Sequence, residues 1–249
     1  MGSENLLVTI EAAVAELQLH RPEKKNALDG ALFDALADAL NEARRDERVH
    51  AVLLYGAGGN FCSGMDLAAD FNDGGPFERC AEALANFDKP LIAAVAGAAV
   101  GGGATIPLHC DIVYAGASLR MRFPFVNLAV VPEFASSYLL QANIGAQRAA
   151  EVMYTAEWID AERARELGMV ADVYADDELI GRARAKARQI ARWPCNALVA
   201  TKRCLKLPHR EAIAAAQKLE AELMRQQLGS AENIEAITAF FERREPDFK

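Results

Sequence analysis

The chain of 249 residues is long enough to bury most of an apolar core within one large domain, and two independent domains are not required. Its formal net charge of −8 argues against a nucleic-acid partner, because sequence-independent affinity for the phosphate backbone comes from clustered Lys and Arg. It is 52% hydrophobic and 25% charged and lacks an apolar run of the roughly 18 residues that a membrane span needs, so we expect a soluble globular protein.

The five cysteines are odd in number and widely spaced, and no two of them form a C-x-x-C pair. This pattern favours neither a disulfide framework nor a zinc site. His109-Cys110-Asp111 brings three ligand types together, but adjacent side chains point apart and no second cluster accompanies them, so we predict no metal. The absence of a signal peptide adds to the cysteine pattern in predicting a cytoplasmic protein.

The first half of the chain predicts β-structure followed by alternating helices and strands. Residues 6–10 and 14–19 alternate as a hairpin does, and the Arg21-Pro22 pair ends this hairpin. Residues 29–46 carry leucines at helical spacing, with Asp29 available as the N-cap. Short buried strands are predicted at residues 50–55, 90–95 and 111–115.

The second half is predicted to be mostly helical. Residues 160–168 form a short helix that Asp160 caps and Gly168 ends, and residues 169–174 form a strand. Because strands that alternate with helices favour parallel pairing, we predict an α/β body at residues 1–190. Residues 191–249 form a helical tail that cannot make a core alone and therefore packs on the body or on a neighbouring subunit.

Two glycine-rich loops follow neighbouring predicted strands. Residues 97–104, Gly-Ala-Ala-Val-Gly-Gly-Gly-Ala, follow the strand at 90–95 and open a helix at 102–108, which leaves backbone N–H groups free for an oxyanion or a phosphate. Residues 56–67, Gly-Ala-Gly-Gly-Asn-Phe-Cys-Ser-Gly-Met-Asp-Leu, follow the strand at 50–55. Two such loops at one sheet edge indicate a ligand site, whereas a tight turn and a plain connection are the structural alternatives. Dinucleotide-binding and P-loop motifs are absent.

Four segments in order resemble the crotonase, or enoyl-CoA hydratase/isomerase, superfamily: N-F-C-S-G-M-D-L, K-P-L-I-A-A-V-A-G-A-A-V-G-G-G, C-D-I-V-Y-A and A-x-x-A-x-x-L-G-M-V. The resemblance covers nearly the whole chain. It implies an α/β fold, a spiral of β-β-α turns with a C-terminal helical region that makes trimers or hexamers. It also implies an acyl-CoA thioester substrate that carries its own CoA, no further cofactor, and the amides of Met65 and Gly102 as oxyanion donors.

Hydratases of this family resemble one another in having two glutamates that together handle water. Thr105 and Phe125 stand at those positions, and neither can act as a general base. The segment Val-Pro-Glu-Phe-Ala-Ser-Ser-Tyr at 131–138 is similar to that of the Δ3,Δ2-enoyl-CoA isomerases, in which one glutamate shuttles a proton from C2 to C4. Glu133 is therefore the predicted base, with a pKa raised by burial near Phe125 and Met65. The alternative is a purely structural role, in which Glu133 begins a helix after Pro132 and is stabilised by the helix dipole.

The Arg-Pro-Glu-Lys-Lys-Asn-Ala-Leu segment at 21–28 resembles the family's R-P-x-x-x-N-A-L turn, beside which the nucleotide of CoA lies. Asp66 could instead be structural and hold the loop of Met65, and exposed lysines are usually solvated surface. Residues 240–248 are similar to a C-terminal family motif that often reaches the CoA of a neighbour, or else they are ordinary helix packing with a surface charge run. The predicted CoA-contacting residues are Lys24, Lys25, Ala27, Asp66, Leu67 and Ala68.

Together these features predict an acyl-CoA isomerase. One alternative is an enoyl-CoA hydratase-like lyase, and another is a crotonase-fold subunit that has lost activity and serves as a binding partner. A third uses Glu133 as a nucleophile, as aroyl-CoA dehalogenases use an aspartate at the matching place. Those enzymes rely on a histidine upstream of the strand at 90–95, and no histidine lies between Pro76 and Pro90.

Overall fold

The computed structural model describes residues 2–69 and 75–248, and in these ranges the chain forms nine strands and ten α-helices. It begins with the predicted hairpin, in which β1 (Leu6–Glu11) pairs antiparallel with β2 (Val14–Leu19). Ala12 and Ala13 make the turn between them with positive φ angles of 50° and 62°. The prediction of an opening hairpin is confirmed.

A capped amphipathic helix follows the hairpin. Helix α1 (Gly30–Arg45) begins where Asp29 accepts a 2.8 Å hydrogen bond from the amide of Leu32, as the sequence predicted. Helix α2 (Gly75–Asn86) packs against it, with the rings of Phe33 and Phe77 edge to face at 5.7 Å.

Seven further strands follow in the chain: β3 (Ala51–Gly56), β4 (Leu91–Val95), β5 (Ala98–Val100), β6 (Ile112–Gly116), β7 (Arg120–Arg122), β8 (Ile159–Asp160) and β9 (Asp172–Tyr174). The larger sheet of the described chain has the order β1-β2-β3-β4-β6-β9, and every pair after the hairpin is parallel. A smaller sheet joins β5, β7 and β8. The predicted strands at 50–55, 90–95 and 111–115 are confirmed as β3, β4 and β6.

The remaining helices are α3 (Gly102–Thr105), α4 (Ser136–Ile144), α5 (Ala146–Thr155), α6 (Ala161–Leu167), α7 (Asp176–Ala191), α8 (Cys195–Lys206), α9 (Arg210–Gln227) and α10 (Ala231–Glu242). Helix α3 is shorter than the predicted helix at 102–108. It continues as a 3₁₀ turn from Ile106 to His109, because Pro107 has no N–H to donate within an α-helix.

Strand β9 begins three residues later than predicted. Gly168 ends α6 in the left-handed conformation, with a φ of 83°, and the chain first reaches β6 at Ala171, whose amide donates to the Val113 carbonyl at 2.7 Å. Asp160 caps α6 through a 2.8 Å bond from the Arg163 amide. The predicted helix is therefore confirmed, and the strand after it is shorter.

The central parallel strands β2, β3, β4 and β6 are largely buried on both faces, as the strands of parallel sheets are, whereas the edge strands β1 and β9 are more exposed. In β3 the side chains of Val52 and Leu54 belong to the main core beneath α1, whereas Ala51 and Leu53 pack under α7 on the other face. Helices α8 to α10 follow as the tail, and apolar side chains remain exposed on them, among them Leu205, Leu219, Ile234, Phe240 and Phe241. Across residues 2–69 and 75–248, no helix has the length and apolar character that crossing a bilayer requires.

Candidate active site

The two glycine-rich loops lie side by side, as their positions after neighbouring strands predicted. The Cys62 amide donates to the Ala98 carbonyl at 2.9 Å, and the Val100 amide donates to the Cys62 carbonyl at 3.0 Å. A Cβ on Gly64 would lie 2.6 Å from the Val100 oxygen, and a Cβ on Gly103 would overlap the Cys62 carbonyl. Glycine is therefore required at both places for the loops to come this close.

Among the residues that the structure describes, none accepts a hydrogen bond from the backbone amide of Met65 or of Gly102. Met65 forms a parallel β-bridge with Leu28. Its two bonds, each 2.8 Å long, run from the Leu28 amide to the Gly64 carbonyl and from the Asp66 amide to the Leu28 carbonyl, so the N–H of Met65 itself points away from Leu28. Gly102 is the first residue of α3, where the N–H has no acceptor inside the helix. Within the described residues, neither amide donates a hydrogen bond. Both are therefore available to an oxygen of a ligand.

The carboxyl group of Glu133 lies next to Gly102. A Cβ placed on Gly102 would be 3.3 Å from Glu133 Oε1, 2.9 Å from Leu28 Cδ1 and 3.9 Å from the Phe134 ring. Glu133 is buried, and the Phe134 ring beside it packs on Phe77 at 4.7 Å. The sequence-predicted base and one predicted oxyanion donor are thus neighbours in an apolar setting.

Burial, together with the smaller effect of the negative charge of Glu220, raises the pKa of Glu133 to about 8. This is the direction of shift that the sequence predicted. A carboxyl group with a pKa near neutrality can both take and return a proton at physiological pH. Glu133 does not begin a helix, since α4 starts at Ser136, so its alternative interpretation as a helix-start residue is wrong.

The free energy of unfolding should depend on pH through Glu133. Its folded-state pKa is about 8 and its ordinary value is 4.5, so between these pH values the native state binds more protons than the unfolded state. Stability should therefore fall as the pH rises through this window. Glu133→Gln should remove this contribution and be more stable than wild type at pH 8, with the difference shrinking toward pH 4.5.

Urea unfolding at a series of pH values measures this difference directly. Glu222→Gln, which changes an exposed glutamate on α9, serves as the control and should keep the wild-type pH dependence. Parallel curves for Glu133→Gln and wild type would contradict the prediction.

Thr105 and Phe125 are both buried and carry no ionisable group. The Thr105 hydroxyl lies 3.4 Å from the Gly102 carbonyl oxygen, which keeps it within its own helix. Phe125 belongs to the main core, together with Leu28 and Phe134. Neither position can therefore supply the second carboxylate of a water-handling pair.

Sequence reasoning missed one buried acid near Glu133. Glu220 of α9 accepts the Ala135 amide on Oε2 at 2.7 Å and the Ser137 amide on Oε1 at 2.9 Å. Its sequence signal is weak, because it reads as one more glutamate on an amphipathic helix. It does lie seven residues after the buried Ile213, on the core-facing side, where a glutamate is unusual.

His109 makes a buried structural contact with the backbone. Its Nε2 lies 2.7 Å from the Phe134 carbonyl oxygen, which can only accept, so this nitrogen carries the proton. Burial lowers the pKa of His109 to about 4 and keeps the ring neutral. No group of three or more His, Cys, Asp or Glu in the described ranges is arranged to hold a metal ion.

Asp66 lies at the centre of an ion-pair cluster. Its Oδ2 is 3.2 Å from Lys24 Nζ and 3.2 Å from an Arg21 guanidinium nitrogen, and Arg21 also pairs with Asp29 at 3.1 Å. These bonds clamp the turn at 21–28 to the loop that carries Met65. Asp66 thus holds the loop of Met65, which is the structural role considered for it. A contact of Asp66 with CoA stays a prediction.

Further bonds dock the same turn on the same loop. The Ser63 amide donates to the Lys25 carbonyl at 3.0 Å, and its hydroxyl donates to the Lys24 carbonyl at 3.0 Å. Buried Asn26, which sequence reasoning did not single out, donates to the carbonyls of Ala57 and Asn60 at 2.9 and 2.7 Å. All six predicted CoA-contacting residues lie in these two docked segments: Lys24, Lys25, Ala27, Asp66, Leu67 and Ala68.

The parallel sheet, the paired glycine loops and the C-terminal helices define an α/β protein with the crotonase fold. The chain belongs to the enoyl-CoA hydratase/isomerase family, whose sequence signature matches residues 9–249. This confirms the resemblance found in the sequence, and the protein is an enzyme of that family.

Two bacterial relatives are similar to the chain over nearly its whole length. The chain is 33% identical to the 2,3-dehydroadipyl-CoA hydratase and 32% identical to the 1,2-epoxyphenylacetyl-CoA isomerase of Escherichia coli (strain K12), covering 98% of this chain and 98% of each relative. Among solved structures, the enoyl-CoA hydratase/isomerase from Pseudoalteromonas atlantica T6c matches with a TM-score of 0.95 and 38% identity, over 98% of this chain and 100% of that one.

Proposed function

We propose that the protein is an isomerase that moves the double bond of a 3-enoyl-CoA to the 2 position. Glu133 is the base, and the amides of Met65 and Gly102 bind the thioester oxygen. The observation that carries the proposal is the single buried carboxyl group of Glu133 beside Gly102. Buried Thr105 and Phe125 occupy the positions that correspond to the two glutamates of the family's hydratases.

The reaction needs one proton carrier and one oxyanion site. Ionised Glu133 removes a proton from C2, and the electron pair passes to the thioester oxygen, which becomes an enolate held by the two amides. Protonated Glu133 then returns the proton to C4, and the double bond comes to lie between C2 and C3. Removing one such fixed donor from an oxyanion hole raises the activation barrier by roughly 3 kcal/mol.

The burial of Glu133 supports this route rather than hydration. A 1,3-proton shift consumes no water, and an apolar pocket around the carboxyl group keeps the proton on it between the two transfers. The Leu28 and Phe134 side chains lie at that position beside Gly102. A pKa of about 8 lets the same group act as base and then as acid.

Hydration is the second candidate, and the hydratase name of one relative at 33% identity favours it. The other relative at similar identity is named an isomerase, so the names of the relatives favour neither reaction over the other. Two-carboxylate hydration needs a second acid, and the nearby Glu220 has each oxygen occupied by a backbone amide. Glu220 is therefore poorly placed to activate water.

For the CoA moiety we propose a position along the docked turn at 21–28 and the loop at 66–68. Lys24 and Lys25 are exposed there and are available to pair with phosphate, while Ala27 lies buried beneath them in the same turn. We also propose a homotrimer or homohexamer, which the exposed apolar side chains of the tail, such as Phe240 and Phe241, support.

The test offers the purified protein a 3-enoyl-CoA and, separately, a 2-enoyl-CoA. We expect the 3-enoyl-CoA to be converted to its conjugated isomer, with little deuterium entering C4 in D₂O, because the transferred proton stays on Glu133. Hydration of 2-enoyl-CoA without isomerisation would establish the lyase instead. Binding of both thioesters without turnover would indicate an inactive binding subunit.

A further inference from the structure

The turn that carries Glu133 has a costly backbone conformation. Phe134 and Ala135 both have φ angles of 56°, in the left-handed region that residues with a Cβ rarely adopt. Two such residues in succession persist only where surrounding contacts hold them. The conformation matters because these two residues separate Glu133 from the first turn of α4, and so determine where its carboxyl group lies.

Distant side chains supply the contacts that hold this turn. Both oxygens of Glu220 accept amides from it, that of Ala135 at 2.7 Å and that of Ser137 at 2.9 Å. His109 donates to the carbonyl of Phe134 at 2.7 Å. Glu220 is 6% exposed, so these bonds lie in a buried environment where losing them leaves backbone donors unsatisfied.

We propose that Glu220 is a positioning residue for the catalytic base, because its two bonds to the turn fix the carboxyl group of Glu133 beside Gly102. This inference rests on the proposed function for the role of Glu133 as base. It gives the C-terminal helical region a part in catalysis, since α9 packs directly on α4 and carries the anchoring carboxylate.

Glu220 also acts on Glu133 through its charge. The titratable groups around Glu133 in the described structure are the thiols of Cys62 and Cys80, the imidazole of His109 and the carboxyl group of Glu220. Burial raises the pKa of both thiols and lowers that of His109 to about 4, so these groups are neutral at pH 7. Glu220 is thus the neighbouring charge that raises the pKa of Glu133.

Burial raises the pKa of Glu220 itself, while the bonds from Ser137 and Ala135 favour its ionised form. A Gln at this position keeps the shape but has no charge, and its NH₂ group would face one of the two backbone donors. Glu220→Gln should therefore loosen the turn and lower the pKa of Glu133 together. Global destabilisation alone would instead speed amide exchange throughout the protected core and leave the pKa of Glu133 unchanged in the folded molecules.

The experiment compares wild type, Glu220→Gln and the control Glu222→Gln, an exposed glutamate two residues further along α9. We expect kcat of Glu220→Gln to fall by roughly 10- to 100-fold. Its kcat/KM should reach the plateau at a lower pH than that of wild type. Amide hydrogen exchange in residues 134–138 should be faster, and Glu222→Gln should match wild type in all three measurements.

Hydrogen exchange does not depend on which reaction the enzyme catalyses. Wild type without isomerase activity would therefore count against the proposed function, while faster exchange in Glu220→Gln would still support the anchoring of the turn. Unchanged exchange at 134–138, or a pH profile that superimposes on that of wild type, would overturn the inference.

Glu220→Asp is the second variant, because it keeps the charge and shortens the reach to the turn. It should raise the exchange rate at 134–138 and lower kcat while leaving the protein folded, as a Tm measurement checks. If both variants fail to fold, Glu220 is a stability residue and the positioning role is wrong.

Discussion

Glu133→Gln is expected to lower kcat for 3-enoyl-CoA isomerisation by about 10³-fold, within the range of general acid–base catalysis. Gln keeps the shape of the side chain but cannot take a proton at neutral pH. The amides of Met65 and Gly102 are unchanged, so binding of the thioester should persist and KM should stay within about twofold. Steady-state kinetics on a 3-enoyl-CoA measure both constants.

Glu133→Asp separates the chemistry of this residue from its position. It retains a carboxyl group but withdraws it from Gly102 by about one bond length, and a displacement of this size costs roughly 10²-fold in rate. Its activity should therefore lie between those of wild type and Glu133→Gln. Undiminished isomerisation in Glu133→Gln would contradict the assignment of Glu133 as base.

The parts of the fold that the sequence predicts are those with local physical signals. The opening hairpin and strands β3, β4 and β6 have apolar residues at strand spacing, and α1 and α6 begin at aspartates that cap them. The small sheet of β5, β7 and β8 has no such signal. Its strands are two or three residues long, too short for any periodicity to be read.

The site divides in the same way. The glycine loops and the Pro-Glu segment are local motifs, and the structure brings Gly102 and Glu133 together from them. The conformation of Phe134 and Ala135 has no local signal, because neither residue favours a positive φ. Its contacts are distant in the chain: Glu220, which accepts the Ala135 amide, is 85 positions away and meets it only after the tail has packed.

Gly102→Ala is expected to reduce kcat/KM by roughly 10²-fold with a small effect on stability. The new methyl group would lie 2.9 Å from Leu28 Cδ1 and 3.3 Å from Glu133 Oε1. The leucine tip can rotate away at little cost, whereas the carboxyl group can move only by leaving its place beside the oxyanion donor. We therefore expect a larger effect on kcat/KM than on the free energy of unfolding.

Two other glycines provide matched comparisons for Gly102→Ala. Gly181 lies within α7 with no atom within 4 Å of an added Cβ, so Gly181→Ala should keep full activity and a Tm at or above that of wild type. In Gly103→Ala the Cβ would overlap the Cys62 carbonyl, so the loss should come through folding. If Gly102→Ala lowered Tm as much as Gly103→Ala does, the tight contact at Gly102 would serve packing, and the proposed oxyanion site would lose this support.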